Sequence, residues 1–245
     1  MSISAYRASG IALAAAAAFA LGIISAFAAI TATGQRGAHP QPNTPHAQSV
    51  EPDGFPAIDW DYWKETNPQV IGWITIPGTS VSLPIAQPPS NEPDFYLDHD
   101  AYGMPNFTGC PYIDAQCAQD GGLLTCWNSL IFGHNMGWND EMFGELDSFL
   151  NADFAKNHRE VLIQTPRSKA RLKVQAVAVV PGWEHVKRVS FNDEDDFFTW
   201  WDDVFIHSAI KLAPQPAHQS PLVTLCTCSY SRWQDERTLI YLMSS

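Results

Sequence analysis

From Gly10 to Ala32 the chain runs GIALAAAAAFALGIISAFAAITA, without one charged residue. Nothing polar interrupts the run to give it a solvent face, which argues against a buried core helix. At about 1.5 Å per residue, a helix of this length reaches across a hydrocarbon core of roughly 30 Å. Arg7 precedes the run and Arg36 follows it. Basic charge on the near side favours a cytoplasmic N-terminus, and Arg36 weakens that bias slightly. Two readings fit: an uncleaved signal-anchor, which the length favours, or a signal peptide cut after a small-x-small site such as Ala26-Phe27-Ala28. Both export everything that follows. We therefore expect residues 1–33 to form a cytoplasmic tip and single-pass anchor in the cell membrane, with the rest of the chain extracellular.

Residues 34–57, GQRGAHPQPNTPHAQSVEPDGFPA, are rich in Pro, Gly, Gln and His and show no apolar period. Such a composition reads as a flexible stalk. Residues 58–245 then suit one domain of ordinary size. The formal net charge is −12, and the Lys and Arg clusters that bind phosphate are missing, which argues against nucleic acid as a partner. Five cysteines in an exported domain suggest disulfides with one thiol left over. A Cys117–Cys126 bridge across the Gly121-Gly122 turn is the simplest pairing, although spacing alone does not fix connectivity.

Short apolar segments separated by turns predict a mainly β fold. VIGWITIPGTSVSLPIAQ reads as two strands around Pro77-Gly78, with Pro84 at a bend or an edge. Further strands are expected at 129–134, 160–165, 170–182, 221–228 and 237–243. In PLVTLCTC, a period of two puts Leu222, Thr224, Cys226 and Cys228 on one face and Leu225 and Thr227 on the other. Helices are expected over 58–67, 139–150 and 192–211. The last of these has Asn192 as candidate N-cap, acids in its first turn, and an apolar stripe through Phe197, Trp200, Trp201, Val204 and Ile210. Many strands with few helices suggest a barrel or sandwich with peripheral helices.

Cys228 ends a strand where a polar loop begins, a place where a thiol can meet a substrate. A nucleophilic cysteine needs help, because the thiolate is the reactive form. His134 follows the SLIFG strand in the tight Gly133-His134-Asn135-Met136 segment, and glycine there permits a close turn. If the two C-terminal strands pair antiparallel, Arg237 returns beside Cys228, where a guanidinium can hold an oxyanion.

With these residues in place, the sequence resembles the sortases. NPQVIGWITIPGT (67–79), DFYLDHD (94–100), FGHNM (132–136), MFGELDSFL (142–150), TLCTC (224–228) and Arg237 are most similar to class B. The resemblance spans roughly residues 58–243. It implies an eight-stranded sortase-like β-barrel with an N-terminal helical segment and a long helix before the cysteine strand. It also implies a membrane-anchored cysteine transpeptidase, which cleaves a C-terminal sorting motif of exported proteins, of Asn-Pro type. The acyl group then passes to an amine of a cell-wall peptidoglycan precursor or a pilin. By the same resemblance Cys228 is the nucleophile, His134 the general acid/base and Arg237 the oxyanion stabiliser. Thr227 and Leu97 contact the motif. Cys226 stands where class B sortases carry a small hydroxyl residue, and its period places it at the groove; there it replaces that residue, pairs with Cys110, Cys117 or Cys126, or forms a reversible disulfide with Cys228. This chemistry requires no cofactor. The same three residues would serve a cysteine hydrolase. Metal binding has only one CxC pair to support it, and a non-catalytic adhesion module leaves the His, Cys and Arg motifs unexplained.

Overall fold

The computed structural model describes residues 47–119, 121–182, 188–214, 217–218, 221–229 and 235–244. The expected anchor and the first part of the expected stalk lie outside them. Among the described residues no helix is long and apolar enough to cross a membrane. The part of the expected stalk that is described, residues 47–57, holds regular structure. There β1 (Ala47–Val50) and β2 (Pro56–Ile58) pair antiparallel. Ion pairs tie this ribbon down: Lys169 reaches Glu51 and Asp53, and Arg171 donates to the Asp53 carbonyl at 2.6 Å. Both cations lie over the ring of Phe55, at 5.2 and 5.5 Å from its centroid. Local composition does not register partners so far along the chain.

The remaining strands are β3 (Val70–Thr75), β4 (Ser82–Ala86), β5 (Tyr112–Ile113), β6 (Asn128–Phe132), β7 (Glu160–Gln164), β8 (Lys169–Pro181), β9 (Ile210–Lys211), β10 (Leu222–Ser229) and β11 (Glu236–Ser244). They form one sheet in the order β11-β10-β6-β5-β4-β3-β7-β8-β9. A further pairing of β11 with β8 closes eight of them into a barrel and leaves β9 outside as an appendage of β8. The expected eight-stranded barrel is therefore present, and closure removes the free edges an open sheet would expose. Pro84 sits within β4, where it has no N–H to donate. It stands in register with Trp73 of β3, and β5, only two residues long, pairs with β4 at Ala86. Ile74, Ile85, Ile113, Ile131, Val177, Leu225 and Ile240 are fully buried in the main core.

Four helices surround the barrel among the described residues: α1 (Trp60–Thr66), α2 (Ala115–Gln119), α3 (Ala152–Asn157) and α4 (Glu194–His207). Helix α4 is the long helix expected before the cysteine strand. Its cap is Asp193, not Asn192, and the Asp193 carboxylate accepts from the Asp196 N–H at 2.9 Å. Asn192 instead donates to the Asp196 carboxylate. The helix stops at His207, and the chain then turns into β9. Phe197, Trp201 and Phe205 are buried against the barrel, with Trp201 meeting Tyr241 at 5.3 Å between ring centroids. Each such aromatic contributes on the order of 1.5–3 kcal/mol by burial. Over 139–150 the expected α-helix is replaced by a 3-10 turn, Gly144–Leu150. Met142 takes a φ of +53°, which breaks α-helical continuity. Gly144 also presses so close to the Asn139 carbonyl that a β-carbon would lie 2.4 Å from it.

Candidate active site

Strand β10 lies between β11 and β6, antiparallel to the first and parallel to the second. The antiparallel register places Cys228 directly opposite Arg237. The parallel register pairs Cys226 with Phe132, the last residue of β6. Beyond it the Gly133 N–H donates to the Cys226 carbonyl at 3.1 Å. The Thr227 hydroxyl donates to the Gly133 carbonyl at 2.8 Å. Asn135, one residue beyond His134, bonds to the Cys228 carbonyl, which sets the turn bearing His134 beside this strand end. A β-carbon at Gly133 would come within 2.5 Å of the Phe143 ring. Glycine is thus required here for close packing, and the turn it allows projects His134 off the strand end.

Of the five cysteines, Cys228 alone is not buried. The His134 Nε2 lies 2.7 Å from the Leu97 carbonyl. A carbonyl only accepts, so Nε2 carries the proton and Nδ1 is the basic nitrogen of the neutral ring. Gly109 lets the loop holding this contact lie close. Its φ is +65°, and a β-carbon there would sit 2.4 Å from the Tyr96 carbonyl and 3.2 Å from His134 Cδ2. The Arg237 Nη1 donates to Asp235 Oδ1 and to the Glu236 carbonyl, both at 2.8 Å. A guanidinium has five N–H donors. Among the described residues both bonds use Nη1, which leaves the other edge of the fork for a ligand. Burial opposes the arginine's charge, but a Cys228 thiolate and Asp235 more than offset this, and its pKa is raised.

Asn135, the residue after His134, carries a role that the sequence does not disclose. It is buried, and its Nδ2 donates to the Cys228 carbonyl at 3.0 Å and to Asp147 Oδ2 at 2.8 Å. Its Oδ1 accepts from the Gly137 N–H at 2.9 Å. Asp147 Oδ1 in turn accepts from the Thr238 hydroxyl at 2.6 Å. One amide thus fixes the strand end bearing Cys228 to the turn bearing His134. Asparagine directly after the histidine, in a turn, was the available signal.

Burial raises the pKa of Asp147 above its ordinary 3.8, against hydrogen bonds from Thr238, Asn135 and Ser229 that lower it. The native state therefore keeps a proton that the unfolded chain has already lost. Stability falls as pH rises from the ordinary value through the raised one. Asp147→Asn should remove that step. In urea unfolding across pH 4 to 7, the difference between variant and parent is expected to move in the variant's favour as pH rises. A pH-independent difference would contradict the assignment.

Leu97 is 40% exposed and sits beside His134 through its carbonyl. Two other expected groove residues are placed differently. Thr227 is buried, and its hydroxyl is used on Gly133 rather than offered to a ligand. Cys226 is 5% exposed, within electrostatic reach of Tyr112 and Tyr241. Period two gives the face of a strand but not what covers it, and here Cys226 belongs to the barrel's main core. Next to the Asn135–Asp147 pair opens a cavity of about 660 Å³, lined in part by Trp138, Asn139 and Asp140. The Trp138 side chain is exposed there.

No protein-family model matches the chain. It is 24% identical over 183 residues to sortase B of Staphylococcus aureus (strain NCTC 8325 / PS 47), covering 75% of this chain and 70% of that protein. Sortase B of Listeria monocytogenes is 24% identical over 165 residues, 67% of this chain and 65% of the relative, just under two thirds of its length. The X-ray structure of Clostridium perfringens sortase B superposes with a TM-score of 0.67 at 24% identity, covering 75% of this chain and 98% of that one. A Staphylococcus aureus sortase B–substrate complex (TM-score 0.66, 21% identity, 81% and 88% covered) and a sortase B complexed with triglycine (0.65, 21%, 75% and 85%) share the same fold. The fold is that of a sortase, and the homology supports a cysteine transpeptidase. Within that class the chain is a relative of the class B sortases, as its motifs imply.

Proposed function

We propose that the chain is a membrane-anchored transpeptidase that cleaves a sorting motif of Asn-Pro type near the C-terminus of exported proteins. The observation that carries this reading is the register of β10, which sets Cys228 opposite Arg237 and beside the turn bearing His134. In this reading residues 1–33 anchor the chain, and the domain faces outward from the cell membrane. With the Cys228 proton held on His134, the thiolate attacks the carbonyl carbon of the scissile bond, and negative charge develops on its oxygen. The open edge of the Arg237 guanidinium holds that oxyanion. His134 protonates the departing amine as the tetrahedral intermediate collapses to a thioester. It then takes a proton from the incoming amine, which attacks the thioester and frees Cys228. The sortase B complexes with substrate and with triglycine support a peptide donor and an amine acceptor. For this chain the acceptor is an amine of a cell-wall precursor or of another protein. The Asp140 carboxylate in the cavity that Asn135 also lines suits an approaching cationic amine.

The test is product analysis with the full chain in detergent, using Asn-Pro-type and Leu-Pro-type peptides with and without triglycine. A transpeptidase yields the triglycine adduct of the donor's acyl half, with turnover that rises with triglycine. Equal release of the free acid with and without amine would instead assign a hydrolase.

A further inference from the structure

We propose that Cys117 and Cys126 form an intramolecular disulfide that staples the excursion between β5 and β6, the strand that leads to His134. Both residues are fully or almost fully buried, and neither takes part in the chemistry at Cys228. The backbone already brings them together. The Gly122 N–H donates to the Cys117 carbonyl at 2.7 Å, and the Gly122 carbonyl accepts from the Cys126 N–H at 3.0 Å. Gly121 and Gly122 make this reversal with φ of +113° and +93°, which side chains other than glycine rarely adopt. Cys126 lies close enough to the Cys117 thiol to raise its pKa. The Cys117 thiol also donates to the Asn128 carbonyl at 3.4 Å, and the Cys126 thiol contacts Ser129 Oγ at 3.3 Å. Both of those partners lie on β6.

The other thiols are placed elsewhere. Cys110 lies in the separate core beneath α1 and donates to the Pro84 and Pro111 carbonyls. Cys226 is held in β10 opposite Leu239, and Cys228 is at the site already described. All five thiols are reduced in this structure. The contact with Cys126, together with burial, holds the Cys117 pKa above its ordinary value. The Cys117 thiol of the folded pair is thus held protonated, and burial shields both sulfurs from oxidant.

The bond accordingly forms while the chain folds. One thiolate attacks a carrier disulfide, such as that of a thiol–disulfide oxidoreductase or oxidised glutathione, and gives a mixed disulfide. The second thiolate displaces the carrier. Two cysteine thiols are oxidised to one disulfide, and the carrier disulfide is reduced to two thiols. Occurrence of the bond in the cell rests on the outward-facing reading above; its formation in vitro does not.

The test refolds the full chain from denaturant into detergent with a reduced/oxidised glutathione pair, then denatures it, alkylates free thiols and maps peptides by mass spectrometry. We expect a Cys117–Cys126 cross-linked peptide about 2 Da lighter than the reduced pair, with Cys110 and Cys226 alkylated. The oxidised chain should melt about 5–10 °C above the chain treated with dithiothreitol, as expected for closing a roughly ten-residue loop. The Cys117→Ala/Cys126→Ala chain should melt at one temperature with or without reductant. Alkylation of both cysteines, or a cross-link that includes Cys226 or Cys228, would overturn the proposal. So would a melting temperature of the parent chain that is indifferent to dithiothreitol.

Discussion

Cys228→Ala should bring peptide cleavage and transfer below detection while leaving the melting temperature close to that of the parent. The expectation follows from the covalent route. Without the sulfur there is no thioester, and no other thiol is exposed to take its place. Alanine deletes one partly exposed atom at a strand end, so little packing is lost. Cys226 is the control, because it is the nearest cysteine in sequence and faces the same way along β10. It is buried, and Cys226→Ser should keep most of the activity. If Cys226→Ser were as inactive as Cys228→Ala, with both variants folded, the nucleophile would be wrongly assigned.

Arg237→Ala should lower kcat/KM by about 10²–10³-fold, the range seen when one oxyanion donor is removed. The guanidinium stands opposite Cys228, is charged at any working pH and is tethered at Nη1 by Asp235 and the Glu236 carbonyl. That tether orients the fork before substrate arrives, so little reorganisation is needed as charge develops. Arg237→Lys should recover only part of the loss, because an ammonium is a point charge that cannot match the fixed fork. Single-turnover rates of thioester formation, measured for both variants, separate this effect from substrate affinity. Thioester formation at the parent rate in Arg237→Ala would remove the arginine from the chemistry.

The parts of this site that the sequence discloses are those set by local pattern. Alternation in PLVTLCTC and the apolar run RTLIYLM predict two strands, and a short polar loop between them permits antiparallel pairing. Cys228 and Arg237 then meet by register alone. The glycine before His134 likewise marks a strand end that has to turn. What stays hidden depends on partners far apart in the chain. Asn135 reaches Cys228 across 93 positions, and Thr238 reaches Asp147 across 91. No local window contains either pair. The ribbon at 47–58 was hidden for the same reason, since Lys169 and Arg171 hold it from over a hundred residues away. The break before the 144–150 turn comes from the backbone at Met142, where periodicity alone would continue a helix.

The most direct measurement is the intact mass of the reduced, folded full chain after brief incubation with a sorting-motif peptide and no amine. The mechanism proposed here requires one acyl adduct, mapped by digestion to Cys228, absent in Cys228→Ala and released when triglycine is added. An adduct on another residue, or none with Asn-Pro-type and Leu-Pro-type peptides alike, would contradict it.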